Sequence, residues 1–298
     1  MLVSIVIRTL NEQLHLAELL KGIRSQVTDG FDIESVIVDS GSTDDTLAIA
    51  ERFGCRITNI DKQDFTFGRS LNVGCEFADG EILVFVSGHC IPSSDQWLLE
   101  LVRPLREGVA QYTYGRQIGR DTTKFSELKI FDKYFGLISK IPQNGFFSNN
   151  ANAATTKKIW SEFHFNEQVT GLEDMELTKR LCEKGGKIAY VSEAGVYHIH
   201  NESWRQTRRR YERESIALQV IMPDVHISLV DMIRYILASV VPDKRAALRE
   251  RCFIKEFVGI VVFRLAQFTG TYRGNHDHRI LSRKRKENYF YPNNRLKD

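Results

Sequence analysis

Two adjacent carboxyl residues, Glu173 and Asp174, stand at the predicted start of a helix and are well suited to acid–base chemistry. Neighbouring side chains on a helix point in different directions, so Asp174 can face a cleft while Glu173 orients its surroundings. A carboxylate within hydrogen-bond reach of a hydroxyl group can remove its proton during a reaction. The alternative interpretation is that both carboxylates only cap the helix.

A second candidate is Asp39, which ends an apolar run and precedes a Ser-Gly-Ser-Thr turn at residues 40–43. A carboxylate at a strand end can accept the imide N–H of a pyrimidine base. The turn exposes backbone N–H donors near a helix start, where phosphate groups bind. These residue types are compatible with a nucleotide site, and simple capping of the turn by Asp39 is the alternative.

Three short apolar runs must position these residues: Val3–Ile7, Ser35–Val38 and Ile82–Val86. Runs without polar alternation are typical of strands buried on both faces of a parallel sheet. Helices are predicted between them, over residues 12–25, from Thr43 or Asp44 to Phe53, and over residues 70–78. Strands that alternate with helices predict a doubly wound α/β sheet, whose ligands bind beyond the carboxyl ends of the strands.

The second half of the chain has a different pattern. A helix is predicted over residues 173–184, ending at Gly185-Gly186, followed by a strand over residues 187–191. From about Ser203 the sequence is mainly helical and basic. We therefore predict an α/β domain over residues 1–215 and a mainly helical region with a basic tail over residues 216–298.

Composition excludes several classes of protein. With 298 residues, 42% hydrophobic and 27% charged, the chain can bury a sizeable core. The five cysteines are scattered, which predicts reduced thiols. The amino terminus has no basic segment typical of a secretory signal, and no apolar stretch is long enough to span a bilayer.

Charge is concentrated in the last 23 residues, although the net charge of the chain is only +3. Residues 276–298 carry seven Lys or Arg against three acidic residues, so this tail is +4 and the rest about −1. Such a tail can bind an anionic membrane surface, and a merely solvated tail is the alternative. Nucleic-acid binding is not predicted, because no binding motif or broad basic stripe accompanies the tail.

Two blocks, Ser4–Glu12 and Val36–Thr46, together resemble the family 2 glycosyltransferases. Residues 68–74 and 171–181 are similar to later elements of that family, so the resemblance extends over about residues 1–215. It implies the GT-A fold, a Rossmann-like nucleotide-binding α/β architecture with a mostly parallel mixed sheet and flanking helices, here followed by a helical C-terminal region. A dinucleotide-binding enzyme is not favoured, because no G-x-G-x-x-G follows the first strand.

The resemblance also implies roles for single residues. Thr9, Glu12 and Asp39 would line the nucleoside pocket, and Arg69 would approach the base or the phosphates. Asp174 would be the general base, with Glu173 beside it. For Arg69, a surface arginine at a helix start is the alternative interpretation.

The sequence departs from the family at Ser87-Gly88-His89, where the family normally has D-x-D. The last Asp of that motif binds a divalent cation, and the D-x-H version of the polypeptide N-acetylgalactosaminyltransferases permits His89 as its ligand. His198 matches a strand histidine that reaches the metal or pyrophosphate in several family members. The loss of two carboxylates favours Mn²⁺ over Mg²⁺. A contact to the donor without metal, or a buried structural histidine, is the alternative interpretation.

Further donor and acceptor contacts are expected on two segments. Arg205 and Arg209, on a predicted helix, are candidates to bind the departing diphosphate, although a solvated face is expected for most arginines there. Residues 146–154, with three asparagines, look like the loop and strand beneath the acceptor in the family. These asparagines can also satisfy turns locally.

Together these observations predict an inverting glycosyltransferase that moves a sugar from a UDP- or dTDP-linked donor to a glycan or lipid-linked glycan acceptor. The expected process is the synthesis of capsule, O-antigen or another surface polysaccharide. The expected location is the cytoplasm or the inner face of the membrane. The sequence is compatible with a homo-oligomer but does not predict the oligomeric state. The alternatives are a metal-independent relative with an unusual donor, and a non-catalytic nucleotide-sugar-binding or scaffold subunit, against which Glu173-Asp174 argues.

Overall fold

A computed structural model describes residues 1–277 and 289–290. The strands are β1 Leu2–Thr9, β2 Asp32–Asp39, β3 Arg56–Asn59, β4 Ile82–Ser87, β5 Cys90–Pro92, β6 Tyr112–Ile118, β7 Lys140–Gln143, β8 Asn152–Thr156 and β9 Ile188–His198. The helices are α1 Leu16–Arg24, α2 Thr46–Arg52, α3 Phe67–Phe77, α4 Trp97–Arg106, α5 Phe125–Tyr134, α6 Lys157–Glu162, α7 Glu173–Glu183, α8 Trp204–Ile221, α9 Leu229–Arg249 and α10 Phe253–Asn275.

The chain divides into two compact units. Unit 1 comprises Met1–Arg120, Lys133–Gln168 and Glu173–Ile199, and unit 2 comprises Asp121–Asp132, Val169–Leu172 and the chain from His200 onward. The chain thus leaves unit 1 between Ile199 and His200, whereas the boundary predicted near residue 215 falls inside α8. Most of the predicted basic tail, at residues 278–288 and 291–298, lies outside the described residues.

Unit 1 contains a mixed sheet in the order β3-β2-β1-β4-β8-β6-β9-β5, with β7 also paired to β9. The strands β3, β2, β1 and β4 are parallel, while β8 is antiparallel to both β4 and β6. The three predicted strands and the α/β fold class are confirmed. Because the four parallel strands are consecutive in the sheet, their carboxyl ends meet at one edge, where ligands bind in such folds.

Buried apolar side chains stabilise the parallel half of the sheet and the helix α1. In β1, Val3, Ile5 and Ile7 on one face and Ser4 and Val6 on the other are buried, as expected for a strand covered on both faces. Helix α1 buries Leu16, Leu19, Leu20 and Ile23, the spacing of one helical face. It begins at Leu16 rather than near residue 12, because the backbone N–H groups of residues 12 and 13 donate to side chains of the segment after β2.

Helix α3 lies against the sheet through a glycine. A Cβ atom at Gly74 would come within 2.4 Å of Val6 Cγ1 and 2.7 Å of Val38 Cγ2. Contacts this short do not occur between real side chains, so any larger residue would push α3 away from β1 and β2. Gly74 therefore sets the distance between the helix and the two strands that end at the candidate site.

Unit 2 is mainly helical. Helices α8 and α9 each begin with a capping box, Ser203 with Gln206 and Ser228 with Asp231. A buried ion pair joins α9 to α10, because Arg264 Nε donates to Asp243 Oδ2 at 2.8 Å. Within residues 1–277 and 289–290, none of the helices is long and apolar enough to cross a membrane.

Candidate active site

Strand register brings the predicted donor-site residues together at the edge of the sheet. Thr9 is the partner of Asp39 across β1 and β2, and Arg8 is the partner of Ser87 across β1 and β4. At the opposite end of the strand order, Cys90 of β5 pairs with His198, the last residue of β9. The ends of β1, β2 and β4 therefore place Thr9, Asp39 and Ser87 in one row.

Asp39 is 1% exposed and accepts four hydrogen bonds from its surroundings. Its Oδ2 accepts from the backbone N–H groups of Gly41 and Ser42 at 2.9 and 2.8 Å. Its Oδ1 accepts from the hydroxyls of Thr9 and Ser42 at 2.9 and 2.6 Å. The carboxylate thus holds the turn, and it can bind a nucleobase only if one hydroxyl gives up its bond, since its acceptor positions are filled.

The loop after β1 is tied to the loop after β2. Asn11 Oδ1 accepts from the backbone N–H of Thr43 at 2.8 Å, and the Glu12 backbone N–H donates to Thr46 Oγ1 at 2.8 Å. Asn11 has a φ of 57°, a conformation that asparagine tolerates better than most residues. These hydrogen bonds join the loop after β1 to the loop after β2, the two segments that carry the family resemblance.

Glu12, predicted to line the nucleoside pocket, has its side chain next to an imidazole, and its role in the pocket stays a prediction. His89 Nδ1 lies 2.8 Å from Glu12 Oε1. A Cβ atom at Gly88 would come within 2.8 Å of Glu12 Cγ, so only glycine lets Glu12 approach. In the Ser-Gly-His segment that replaces D-x-D, Gly88 thus leaves room for Glu12, and Glu12 contacts His89.

The imidazoles of His89 and His198 stack on one another. Their ring centroids lie 5.2 Å apart with 20° between the planes, and a ligating nitrogen of one lies within 4.8 Å of one of the other. A carboxylate oxygen only accepts hydrogen bonds, so Nδ1 of His89 is the protonated nitrogen and Nε2 carries the lone pair. Orientation of this kind, by a carboxylate on the second nitrogen, is typical of histidines that bind metals.

A hydrogen-bond chain fixes the tautomer of His198 in the same way. The backbone N–H of Ala151 donates to Asn149 Oδ1 at 3.0 Å, and Gln117 Nε2 donates to the same oxygen at 2.7 Å. Gln117 Oε1 must then face His198 Nδ1, from which it lies 2.6 Å. His198 Nδ1 is therefore the donor, which again leaves the lone pair on Nε2.

These two histidines fit a divalent transition-metal ion. Both have an oxygen partner on Nδ1, so that Nε2 is the nitrogen that offers a lone pair when the ring is neutral. Nitrogen donors suit Mn²⁺ and later ions better than they suit Mg²⁺. Sequence reasoning missed Gln117, since only the pairing of β6 with β9 brings it to His198.

The acidic pair lies at the start of α7, as predicted. Asp174 is 5% exposed, and its Oδ2 and Oδ1 accept from the backbone N–H groups of Asn150 and Met175, both at 2.7 Å. Burial, followed by the charge of Glu173, raises the pKa of Asp174 to about 7. A carboxylate with such a pKa is suited to accept a proton near neutral pH.

Glu173 faces Arg8, a residue that sequence reasoning missed. Arg8 Nη1 donates to Glu173 Oε1 at 3.2 Å, and the guanidinium lies 5.1 Å from the centre of the Phe67 ring. Because Arg8 follows the apolar run of β1, this ion pair anchors the start of α7 at the edge of the parallel strands. Asn150 contributes as well, since its Nδ2 donates to Glu173 Oε1 at 3.4 Å.

The predicted arginines have different surroundings. The backbone N–H of Arg69 donates to the cap residue Thr66, while its half-exposed side chain lies 3.9 Å from Asp64. Arg205 is exposed and Arg209 half-buried, and both belong to α8 of unit 2. Their binding of a diphosphate stays a prediction.

A buried charge cluster in unit 2 departs from the solvated face expected for α8. Glu127 Oε1 accepts from His200 Nδ1 at 2.8 Å and from Arg210 Nη2 at 2.7 Å. Burial alone would raise the pKa of Glu127, but His200 and Arg210 lower it to about 2. Arg210 therefore has a structural role within this unit.

The fold and the site define a glycosyltransferase of GT-A architecture. The profile of glycosyl transferase family 2 matches residues 4–163, and the chain belongs to that family. It is 26% identical over 225 residues to the O-antigen chain rhamnosyltransferase RfbN of Salmonella typhimurium, covering 71% of this chain and 70% of the relative. The O-antigen chain rhamnosyltransferase WbaN of Salmonella anatum is 27% identical over 187 residues, 59% of each chain.

A solved structure supports the same fold. The mannosyltransferase PcManGT from Pyrobaculum calidifontis, in complex with GDP-Man and Mn²⁺, superposes with a TM-score of 0.67. The superposition covers 93% of this chain and 88% of that one, at 15% sequence identity. The predicted fold class, GT-A with a helical C-terminal region, is confirmed.

Proposed function

We propose that this glycosyltransferase moves a sugar, with inversion, from a nucleotide-sugar donor to a hydroxyl of a glycan or lipid-linked glycan during surface-polysaccharide synthesis. The observation that carries the proposal is the buried Asp174, with a pKa of about 7, joined through Glu173 and Arg8 to the edge where the parallel strands end. The two rhamnosyltransferase relatives act in O-antigen synthesis according to their names, which supports the acceptor class.

The chemistry follows from a single displacement. The acceptor oxygen bonds to the anomeric carbon while the bond from that carbon to the diphosphate breaks. Asp174 takes the acceptor proton, and its two backbone N–H partners hold the carboxylate in place. Arg8 pairs with Glu173 and lowers the pKa of Asp174, which partly offsets the rise that burial and the charge of Glu173 cause.

We further propose that His89 and His198 hold a divalent cation, with Mn²⁺ preferred to Mg²⁺. When bound, such an ion neutralises the charge of the diphosphate as it leaves. The support lies in the two oriented imidazoles, and the solved mannosyltransferase contains Mn²⁺ in its complex. For the nucleotide we retain UDP or dTDP as predicted, held by residues at the ends of the parallel strands and the following loops: Thr9, Glu12, Asp39, Arg69 and Ser87.

Thermal stability with a panel of nucleotide sugars tests donor and metal together. Each of the UDP-, dTDP- and GDP-linked sugars is added with and without Mn²⁺, because a ligand that binds only the folded chain raises its melting temperature. We expect a UDP- or dTDP-sugar to give the largest rise, and only when Mn²⁺ is present. No rise with any nucleotide sugar would contradict the proposed donor class.

Asp39→Ala is expected to weaken nucleotide binding by about 1–3 kcal/mol, since a charged acceptor is lost. Calorimetric titration with the nucleoside diphosphate measures this change. Asp45→Asn is the matched control, because Asp45 is an exposed carboxylate of the same loop. Unchanged affinity of Asp39→Ala for the nucleotide would remove Asp39 from the pocket.

Gln117→Met is expected to lower the affinity for Mn²⁺ by about 10–100-fold, because His198 loses the partner that fixes its tautomer. Titration with Mn²⁺ in the presence of the nucleoside diphosphate provides the readout, independent of turnover. Gln26→Met, which removes another buried glutamine bonded only to backbone groups, is the control. Equal affinities in both variants would show that Gln117 does not support a metal ligand.

A further inference from the structure

The hairpin formed by α9 and α10 in unit 2 exposes large apolar side chains at its tip, residues 245–258. Leu248 is 58% exposed, Ile254 94% and Val258 67%. The opposite face of the hairpin packs on a small core with Ala247 and Ile260. The exposed side chains therefore belong to a second apolar face, separate from the one that stabilises the unit.

The turn between the helices holds the tip in this conformation. Arg251 has a φ of 57°, and the backbone N–H of Cys252 donates to the carbonyl of Ala247 at 2.9 Å. Helix α10 then starts at Phe253, so that Ile254 stands in its first turn. Ile254 is thus held outward by ordered backbone at the end of two helices.

The apolar face continues along both helices. On α9, Val230, Ile233, Leu237 and Val241 are exposed at intervals of three or four residues, and on α10 Leu265 extends the line from Val258. The segment from Val230 to Leu248 measures about 27 Å at 1.5 Å per residue. An exposed apolar face of this length on an amphipathic helix is typical of segments that lie in a membrane interface.

The tip also carries exposed cationic side chains. Arg245, Arg249 and Arg251 are exposed, and the Lys255 side chain is 85% exposed. Of the acidic neighbours, Glu250 pairs with Lys129 at 2.6 Å and Glu256 lies 3.7 Å from Lys255, so the net positive charge of the tip comes from its three arginines. The tip therefore presents exposed apolar and exposed cationic side chains within the same 14 residues, 245–258.

We propose that the α9–α10 hairpin tip binds anionic lipid bilayers, with Ile254 and its apolar neighbours inserted among the headgroups. Arginine and lysine side chains attract acidic headgroups, while the transfer of apolar side chains from water into the membrane interface is favourable. Self-association through the same face is disfavoured, because a symmetric contact would bring the cations of two copies together. The proposal does not depend on the reaction that unit 1 catalyses.

Vesicle co-sedimentation of the full chain tests the proposal. We expect binding to vesicles of phosphatidylcholine with phosphatidylglycerol to be at least ~10-fold tighter than to phosphatidylcholine alone, and to weaken with salt. The double variant Ile254→Glu/Val258→Glu should lose about 10-fold or more of this affinity. Leu14→Glu changes an exposed leucine of unit 1 in the same way and should bind like the unchanged chain.

A second variant separates charge from apolar contact. Arg249→Gln/Arg251→Gln/Lys255→Gln should lose most of the preference for phosphatidylglycerol, and melting curves confirm that each variant is folded. Equal binding by the hairpin variants and the unchanged chain would overturn the proposal and place the membrane contact elsewhere, such as residues 276–298. A dimer in light scattering that the glutamate variant dissociates, without any lipid binding, would also overturn it.

Discussion

Asp174→Asn is expected to lower the rate of sugar transfer by about 10²–10⁴ while nucleotide binding stays nearly unchanged. An amide keeps the shape of the side chain but cannot take the acceptor proton. The carboxylate is buried and held by two backbone N–H groups, so water cannot easily replace it as the base. Turnover is measured as release of the nucleoside diphosphate with the donor identified in the panel.

The pH profile gives this prediction a second readout. Because Asp174 must be ionised to act and its pKa is raised to about 7, kcat/KM should rise as pH increases through about 7 and fall below it. The Asp174→Asn variant should lack this step. Asp243→Asn, which alters an equally buried carboxylate of unit 2, is the control and should keep both the step and the rate per folded molecule.

His89→Ala is expected to reduce metal-dependent turnover by at least about 10²-fold, because a bound cation contributes several kcal/mol to neutralising the leaving group. His89→Asp should instead retain activity and shift the preference from Mn²⁺ towards Mg²⁺, since an oxygen ligand suits the harder ion. The initial rate with each ion, measured for both variants, provides the comparison.

Removal of the metal completes this test. Excess EDTA should abolish turnover of the unchanged chain, and added Mn²⁺ should restore it. Full activity in EDTA, with His89→Ala affecting donor affinity alone, would contradict the metal proposal. The leaving group would then have to be neutralised by arginines such as Arg205 or Arg209.

Local patterns in the sequence were sufficient to predict the parallel half of the sheet. Continuous apolar runs identified β1, β2 and β4, and the helical spacing of the leucines identified α1. Glu173 and Asp174 were placed correctly at the start of α7, because acidic residues before an amphipathic stretch favour a helix start. These signals depend only on neighbouring residues.

Contacts between distant segments could not be predicted in the same way. The pairing of Glu12 with His89 depends on the register of β1 with β4 and on the missing side chain at Gly88. Arg8 meets Glu173 across 165 positions of sequence, and Gln117 reaches His198 where the register between β6 and β9 shifts after Gly115. The sequence also did not predict that Asp39 accepts hydrogen bonds from Gly41 and Ser42 of the turn that follows it.

The most direct test of the central claim is the anomeric configuration of the transferred sugar. Asp174 can act as base in a single displacement only if the acceptor attacks the face opposite the diphosphate, which inverts the anomeric centre. Proton NMR of the product, formed from the donor found in the panel, reports this configuration from the anomeric coupling and chemical shift. We predict a product of opposite configuration to the donor, and retention of the donor's configuration would contradict the assigned role of Asp174.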